Sequence, residues 1–410
     1  MESNIDSFFK EIKNKFPIFN KKINGKEIIF LDTAASSQKP QSVIDSVSIC
    51  YSENYANIHR GVYYLSSKLT RDYELVRENI ASFINAKNEK EIVFTKSATE
   101  GLNLLANCFC DKFLNEGDEI LISHLEHHAN IVPWQIQSSK KNIKIKVADL
   151  NNDTSININD LLNKISEKTK LISITHVSNS LGHITDLKTI ITHAKKLNIP
   201  VIVDGCQYIA HSKLDVQSLD CDFYVFSGHK IYGPSGIGIL YGKQEWLEKF
   251  PPYQGGGDMI DSVSFEKTVY ADSPQKFEAG TPPIAQVIGL GSAINFVREI
   301  GIENIKAYEQ ELTNYAYDSL KQISSIDIIG NKKNNSGIIS FNMKNTHHND
   351  LGTLLDQDGI SVRTGHHCTQ PLMKKLGITG TARVSFGVYN NKNDIDQLVT
   401  SLNKINNFFK

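Results

Sequence analysis

Long hydrophobic runs are missing from this chain of 410 residues. No stretch reaches the roughly 18 uninterrupted apolar residues that a membrane-spanning helix needs, so no part of it is expected to cross a bilayer. A charge surplus is missing too: 44 lysines and arginines stand against 45 aspartates and glutamates, a net charge of -1. A nucleic-acid or polyanion binder would carry a basic excess, which argues against that class. Cysteine is scarce and unpatterned. The residues at 50, 108, 110, 206, 221 and 368 follow no regular spacing, which points to reduced thiols in a cytoplasmic protein rather than a disulfide framework. The usual phosphate-binding signatures are absent: a Walker loop around Gly242 and Lys243 would need Gly at 237 and Ser or Thr at 244, where Ile237 and Gln244 stand. No Gly-x-Gly-x-x-Gly fingerprint follows a strand, and neither repeats nor low-complexity tails occur. Met1 to Asn20 mixes acids and bases around Phe8, Phe9, Ile12 and Phe16 with no signal- or transit-peptide composition, and reads as a short amphipathic helix.

What is present is a rhythm. From about residue 87 to 241, short apolar strands alternate with helical patterns: Glu91 to Phe94, Glu119 to Ile122, Ile143 to Val147, Leu171 to Thr175, Val201 to Val203 and Phe223 to Phe226. That alternation predicts a doubly wound α/β sheet. A brief strand in 27–34 precedes it. A long helical region follows over about 284–324, then strands near 337–343 and 382–386 and a closing helix over 393–408, which together predict a second, α+β domain. Ligands of such sheets bind beyond the carboxyl ends of the strands. The residues found there are Glu126, His127, His128 and Asn130 after the second strand, His176, Ser178 and Asn179 after the fourth, Asp204 and Gln207 after the fifth, and His229 and Lys230 after the sixth.

Lys230 stands where the apolar run Phe223 to Phe226 stops, ahead of the glycines at 233, 236 and 238. A lysine desolvated in a cleft has its pKa lowered, which frees the lone pair for a Schiff base or for proton transfer; a surface lysine in a turn would read the same way. Asp204, after Val201 to Val203, could hold a pyridinium nitrogen protonated, although an Asp opening a turn through Gly205 is an ordinary feature. Together the two favour pyridoxal phosphate. Its phosphate could lie at the helix starting near Thr99, with Ser227 and His229 completing the cradle. His124, His127 and His128 also admit a zinc reading, but the HExxH order is not met and no third ligand is indicated, so no metal is expected; a flat His127 ring stacked on the cofactor is the better use. In the second domain, Cys368 lies in a polar, histidine-flanked loop, Arg363 to Thr369, where an accessible nucleophilic thiol is expected. The other cysteines fall mostly in apolar patterns, Cys206 excepted. Arg383, in an apolar run, needs a carboxylate: that of a substrate, or that of a structural salt bridge.

These residues resemble a known family. The strings LDTAASSQKP, HRG, TEGLNL, EHHANIVPW, THVSNSLG, DGCQ, FSGHKIYGPSGIGILYG, GGGDMI, FEAGTP and RTGHHCTQP are similar, nearly end to end, to the SufS-type (group II) cysteine desulfurases, fold-type I pyridoxal phosphate enzymes of the class-V aminotransferase kind. The resemblance implies a large, mostly parallel seven-stranded α/β domain over 27–284, a small α+β domain over 285–410 carrying the nucleophilic cysteine, and an N-terminal segment, 1–26, packing on the latter. It implies Cys368, Lys230 and His127 as catalytic groups and Lys230 as the Schiff-base lysine. Asp204 goes on the ring nitrogen, Gln207 toward the phenolic oxygen and His127 on the ring. Thr99, Ser227 and His229 go on the phosphate, with Thr281 from a partner subunit, hence a homodimer. Arg383, Asn179 and Arg363 go on the substrate carboxylate. The activity implied is removal of sulfur from L-cysteine, giving L-alanine and a persulfide on Cys368 that a SufE-like or SufU-like acceptor collects for iron-sulfur cluster assembly. A selenocysteine lyase would use the same residues; a non-catalytic scaffold would be expected to have lost Lys230, Asp204 or Cys368. Three positions depart from the family: Cys206 and Thr369 where alanine is usual, and Tyr63 where histidine is.

Overall fold

The computed structural model describes residues 4–23 and 25–408. Among these, seven strands form the central sheet: β1 (Ile92–Thr95), β2 (Glu119–Ser123), β3 (Lys144–Ala148), β4 (Thr169–Thr175), β5 (Val201–Asp204), β6 (Phe223–Ser227) and β7 (Gly238–Gly242), in the order β1-β7-β6-β5-β4-β2-β3. The strands from β2 through β6 pair in parallel, while β7 inserts antiparallel between β6 and β1. Residues of β1, β2, β5, β6 and β7 are buried at every position. Both faces are covered, which is why their sequences read as continuous Val, Ile, Leu and Phe runs rather than alternating ones. Because β7 is antiparallel to both neighbours, β1 runs with β6, and the carboxyl ends of β1, β2, β4, β5 and β6 share one edge.

The turn that closes this edge needs a missing side chain. At Gly238 a Cβ would lie 2.5 Å from the carbonyl carbon of Ser97, so only glycine lets β7 pass against the start of helix α2 (Ala98–Phe113). Ser97 caps that helix, its hydroxyl accepting from Glu100 N–H at 3.3 Å.

The predicted long helix over 284–324 is two helices, α3 (Ile284–Ile300) and α4 (Ile302–Lys321). Gly301, at φ 86°, ends one and caps the other, a left-handed setting that glycine adopts without penalty. Beyond them lies a four-stranded antiparallel sheet, in the order β10-β11-β13-β12, built from β10 (Ile326–Ile329), β11 (Ile338–Met343), β12 (Arg363–Gly365) and β13 (Thr381–Ser385), followed by helix α5 (Lys392–Phe408). Between the two units an exposed hairpin, β8 (Ile260–Val263) with β9 (Thr268–Tyr270), carries Phe265 at its tip.

Helix α1 (Asn4–Asn14) lays Phe9 flat on Tyr308 of α4, with ring centroids 3.7 Å apart, and Lys13 pairs with Asp394 at 3.3 Å. Chain 29–34 then stitches the units together. Ile29–Phe30 pairs in parallel with Ile360–Ser361, and Asp32 bridges to Ser385. The segment leading to Thr281 is anchored by Glu278, whose carboxylate accepts from buried Arg77 at 2.6 and 3.0 Å and from Phe94 N–H at 2.7 Å. Among the described residues no helix is long and apolar enough to cross a membrane.

Candidate active site

A cavity of about 240 Å³ opens where the shared strand edge meets the four-stranded sheet. From the strand ends it is lined by His127, Thr175, Val177, Asn179, Asp204, Cys206, Gln207, Ser227, His229 and Lys230. Ala98 and Thr99 come from the α2 terminus, Ala34 and Ala35 from the bridging loop, and Arg363, His367, Cys368 and Arg383 from the second unit. Of the residues singled out in the sequence, Glu126, His128, Asn130, His176 and Ser178 are not on this wall. Extended chain sends alternate side chains to opposite sides, so Thr175, Val177 and Asn179 face the cavity while His176 turns behind it, stacked on Tyr208 at 3.6 Å with its Nδ1 2.9 Å from the Tyr224 hydroxyl.

Lys230 sits in the turn just past β6. Its Nζ donates to the main-chain carbonyls of Ala34 and Ala35, the latter at 2.9 Å. Burial lowers the amine to about 8, against the opposing pull of Cys206 and Asp32. Asp204 ends β5, buried, with Oδ1 accepting from Cys206 N–H at 3.1 Å. The His127 Nδ1 accepts from Ala129 N–H at 3.0 Å, which leaves the ring proton on Nε2; burial, opposed by Asp204, lowers its pKa. His229 is pushed down to about 4 by burial and by the Lys230 cation. Gln207 donates its amide to Ala34 O at 2.8 Å, so its Nε2 is engaged by the bridging loop.

The donor set suits a phosphorylated pyridine aldehyde. Ser227 Oγ accepts from Ala98 N–H, the first residue of α2, at 2.9 Å, which leaves its proton for an anion lying at the helix N-terminus beside the Thr99 hydroxyl. A carboxylate at Asp204 and an amine at Lys230 complete what a ring nitrogen and a carbonyl carbon require. Thr281 lies in an exposed loop of its own chain and outside this cavity.

The sequence left two partners open for Arg383, and the structure supplies one. Its Nη2 pairs with Asp32 Oδ1 at 3.0 Å and its Nη1 donates to Asn179 O at 2.6 Å, while Nε is buried with no hydrogen-bond partner. Burial lowers the guanidinium to about 10 against the opposing pull of Asp32. The Asn179 side chain donates to His367 O at 2.7 Å. Cys368 is half-buried at the rim. Its carbonyl accepts from His128 N–H at 2.8 Å, and His128 Nε2 accepts from Gln370 N–H at 3.0 Å, so the loop after β2 clamps the thiol loop. His367 is driven to about 2 by burial and by Arg383 and Arg363. Among the described residues no group of three or more His, Cys, Asp or Glu is disposed to hold a metal ion.

Glu126, buried behind His127, accepts from Ser123 Oγ at 2.5 Å and from Asn130 Nδ2 at 2.7 Å; Asn130 in turn accepts from Trp134 and Ser173. Desolvation raises this carboxyl to about 8. The unfolded chain releases the proton from about 4.5 while the folded one keeps it to about 8, so the contribution of this group to stability is full below 4.5 and is lost as pH rises toward 8. Glu126→Gln is therefore expected to melt within a degree or two of the parent at pH 5 and about 2 °C or more above it at pH 8. Parallel melting curves of the two proteins at both pH values check this; a constant offset would contradict a neutral Glu126.

The chain is similar to known proteins. The class-V aminotransferase family model matches residues 29–398. A cysteine desulfurase of Serratia proteamaculans (strain 568) is 45% identical over 397 residues, covering 97% of this chain and 98% of that protein. A probable cysteine desulfurase of Staphylococcus aureus (strain N315) is 47% identical over 400 residues, 97% of each. The crystal structure of the cysteine desulfurase CsdA (S-sulfonic acid) from Escherichia coli superposes with a TM-score of 0.92 at 36% identity, over 100% of both chains.

Proposed function

The chain belongs to the class-V aminotransferase family, among its pyridoxal phosphate-dependent cysteine desulfurases, and from that premise we propose how its own residues take sulfur from L-cysteine. The observation that carries the reading is a single cavity faced by an amine, Lys230, and a carboxylate, Asp204, from one sheet and by a thiol, Cys368, and a guanidinium, Arg383, from the other. In this reading residues 27–284 and 285–410 are two domains meeting at the site, with the described part of 1–26 packed on the second; residues 1–3, 24, 409 and 410 lie outside the described residues.

Pyridoxal phosphate, when bound, supplies a carbonyl carbon that holds an amino group and a conjugated ring that accepts an electron pair from Cα. Lys230 and Asp204 would hold it at those two positions, Gln207 would face the phenolic oxygen, and Thr99, Ser227 and His229 the phosphate. The His127 ring, which lines the cavity with its proton on Nε2, would stack on the cofactor ring. Arg383, braced by Asp32 and by the Asn179 carbonyl, would receive the substrate carboxylate, with Arg363 and Asn179 lining the same cavity. The Lys230 Nζ, with its pKa brought near 8, carries the proton from Cα. The Cys368 Sγ attacks the substrate sulfur, the C–S bond breaks with its electron pair left on carbon, and that carbon takes a proton to become the methyl of alanine. Sulfur stays as a persulfide on Cys368.

The thiol loop is short and clamped, so the persulfide cannot travel and an acceptor must come to the rim. An acceptor of the SufE or SufU type, feeding iron-sulfur cluster assembly in the cytoplasm, fits that requirement. A homodimer is supported by Thr281, which is exposed on its own chain and would reach the partner's phosphate. The decisive experiment is alanine and sulfide release from L-cysteine by the pyridoxal phosphate-loaded protein. Without thiol reductant or acceptor it is expected to form about one alanine per chain and stop; with dithiothreitol, turnover continues and sulfide appears. Absence of alanine under both conditions overturns the reading. A parallel series on L-selenocysteine separates a lyase specific for that substrate.

A further inference from the structure

The loop that carries Cys368 is held in a conformation that side chains resist. His367 and Cys368 both lie in the left-handed region, at φ 49° and 59°, where an L residue's Cβ crowds the following carbonyl. Two such residues in succession persist only where the surroundings over-determine them. Within the loop, Thr369 N–H and hydroxyl both donate to His366 O, at 2.8 and 2.9 Å, and Cys368 N–H donates to His366 Nδ1 at 3.2 Å. Another tie leaves the loop through a wholly buried pair of hydroxyls: Thr369 Oγ1 lies 2.6 Å from Ser180 Oγ, and neither residue is exposed. A threonine hydroxyl has one proton. With that proton on His366 O, Ser180 is the donor to Thr369.

Ser180 belongs to the segment that also holds the guanidinium. Its own carbonyl accepts from Ser340 Oγ at 2.6 Å, and the adjacent Asn179 carbonyl accepts from Arg383 Nη1. In β11 and β13, Ser340 stands opposite Arg383. One short stretch of chain thus sets the thiol loop and the carboxylate binder relative to each other.

We infer that Thr369 is a positioning residue for sulfur transfer: its hydroxyl, bonded to Ser180, fixes the reach of Cys368 Sγ to a substrate whose carboxylate rests on Arg383. This rests on the desulfurase reading. Sulfur transfer needs the attacking and departing atoms aligned, and a misplacement of about 1 Å costs about 10² in rate. The His128 and Asn179 bonds to the loop remain when the hydroxyl is lost, so the expected effect is smaller than that.

The test compares Thr369→Val, which keeps the shape and deletes the hydroxyl, with Thr369→Ser, which keeps the hydroxyl and deletes the methyl. Both proteins are loaded with pyridoxal phosphate and assayed for alanine over a range of L-cysteine with dithiothreitol present. Amide exchange of residues 366–370 is followed in the same samples. Thr369→Val is expected to lower kcat about five- to tenfold with KM within about twofold, and to speed exchange in the loop. Thr369→Ser is expected to recover kcat to within about threefold of the parent and to restore protection. A valine variant with parental kcat and exchange overturns the inference, as does a serine variant as slow as valine, which would assign the effect to the buried methyl. Should the parent itself make no alanine, the desulfurase reading fails instead, and the exchange comparison alone decides whether Thr369 holds the loop.

Discussion

Lys230→Ala, loaded with pyridoxal phosphate and given L-cysteine with dithiothreitol, is expected to lose alanine formation by at least about 10² to 10⁴. A general base positioned on the reacting proton is worth that much by itself, and the same substitution removes the amine that would anchor the cofactor. The size of the effect follows from the setting of the lysine. It is the one lysine among the described residues that lines the cavity with Asp204, its pKa is brought down to about 8 by burial, and Lys39, also lowered to about 8, does not line the cavity. No neighbour can take the Cα proton in its place: burial, the larger cause of the low His229 pKa, persists when the Lys230 cation is gone, and His127 offers the cavity an N–H rather than a lone pair. Lys230→Arg should fail as well, because a guanidinium stays protonated. Coupled alanine assays on the two variants check this. Either one turning over at more than about a tenth of the parental rate would remove Lys230 from the proton transfer.

Cys368→Ala separates binding from sulfur transfer. The variant is expected to take up L-cysteine with a change in the visible band of its bound cofactor, since Lys230, Asp204 and Arg383 are untouched, yet to form no persulfide and to release alanine at less than about one hundredth of the parental rate. No other thiol is placed to substitute. Cys50, Cys108, Cys110 and Cys221 are buried, and burial raises each thiol, Cys108 and Cys110 to about 12. Cys206 does line the cavity, but desolvation and the Asp204 carboxylate push its thiol well above the ordinary range, where the nucleophilic thiolate is scarce. Mass analysis of the protein after one turnover, by the +32 Da of a single added sulfur, reads the parent and the variant directly. A variant that carried the added sulfur would show the nucleophile to be elsewhere.

Much of the sheet was legible from local pattern. Strands buried on both faces must be apolar throughout, so their runs stand out, and the polar groups that line the cavity stand where each run stops: Asp204 at the last residue of β5, Lys230 just past β6, His127 past β2. The long helix over 284–324 was less legible, because helical periodicity passes through Gly301 without a signal, and only its left-handed backbone divides the segment. The departure at Thr369 could be noted from the chain, but its meaning could not, since the hydroxyl finds Ser180 across 189 positions.

The amino-acid sequence by itself determined the order of elements, the residues at the strand ends and, through its motifs, the family and its cofactor. These rest on propensities and spacings confined to a few residues of chain. The tertiary structure alone decided which of the strand-end side chains face the cavity, that Asp32 braces Arg383 across 351 positions and leaves its buried Nε without a partner, and that Ser180 bonds to the residue after Cys368. Side-chain direction and long-range pairing depend on how separate segments pack against each other, and chain closure over such distances leaves no local trace.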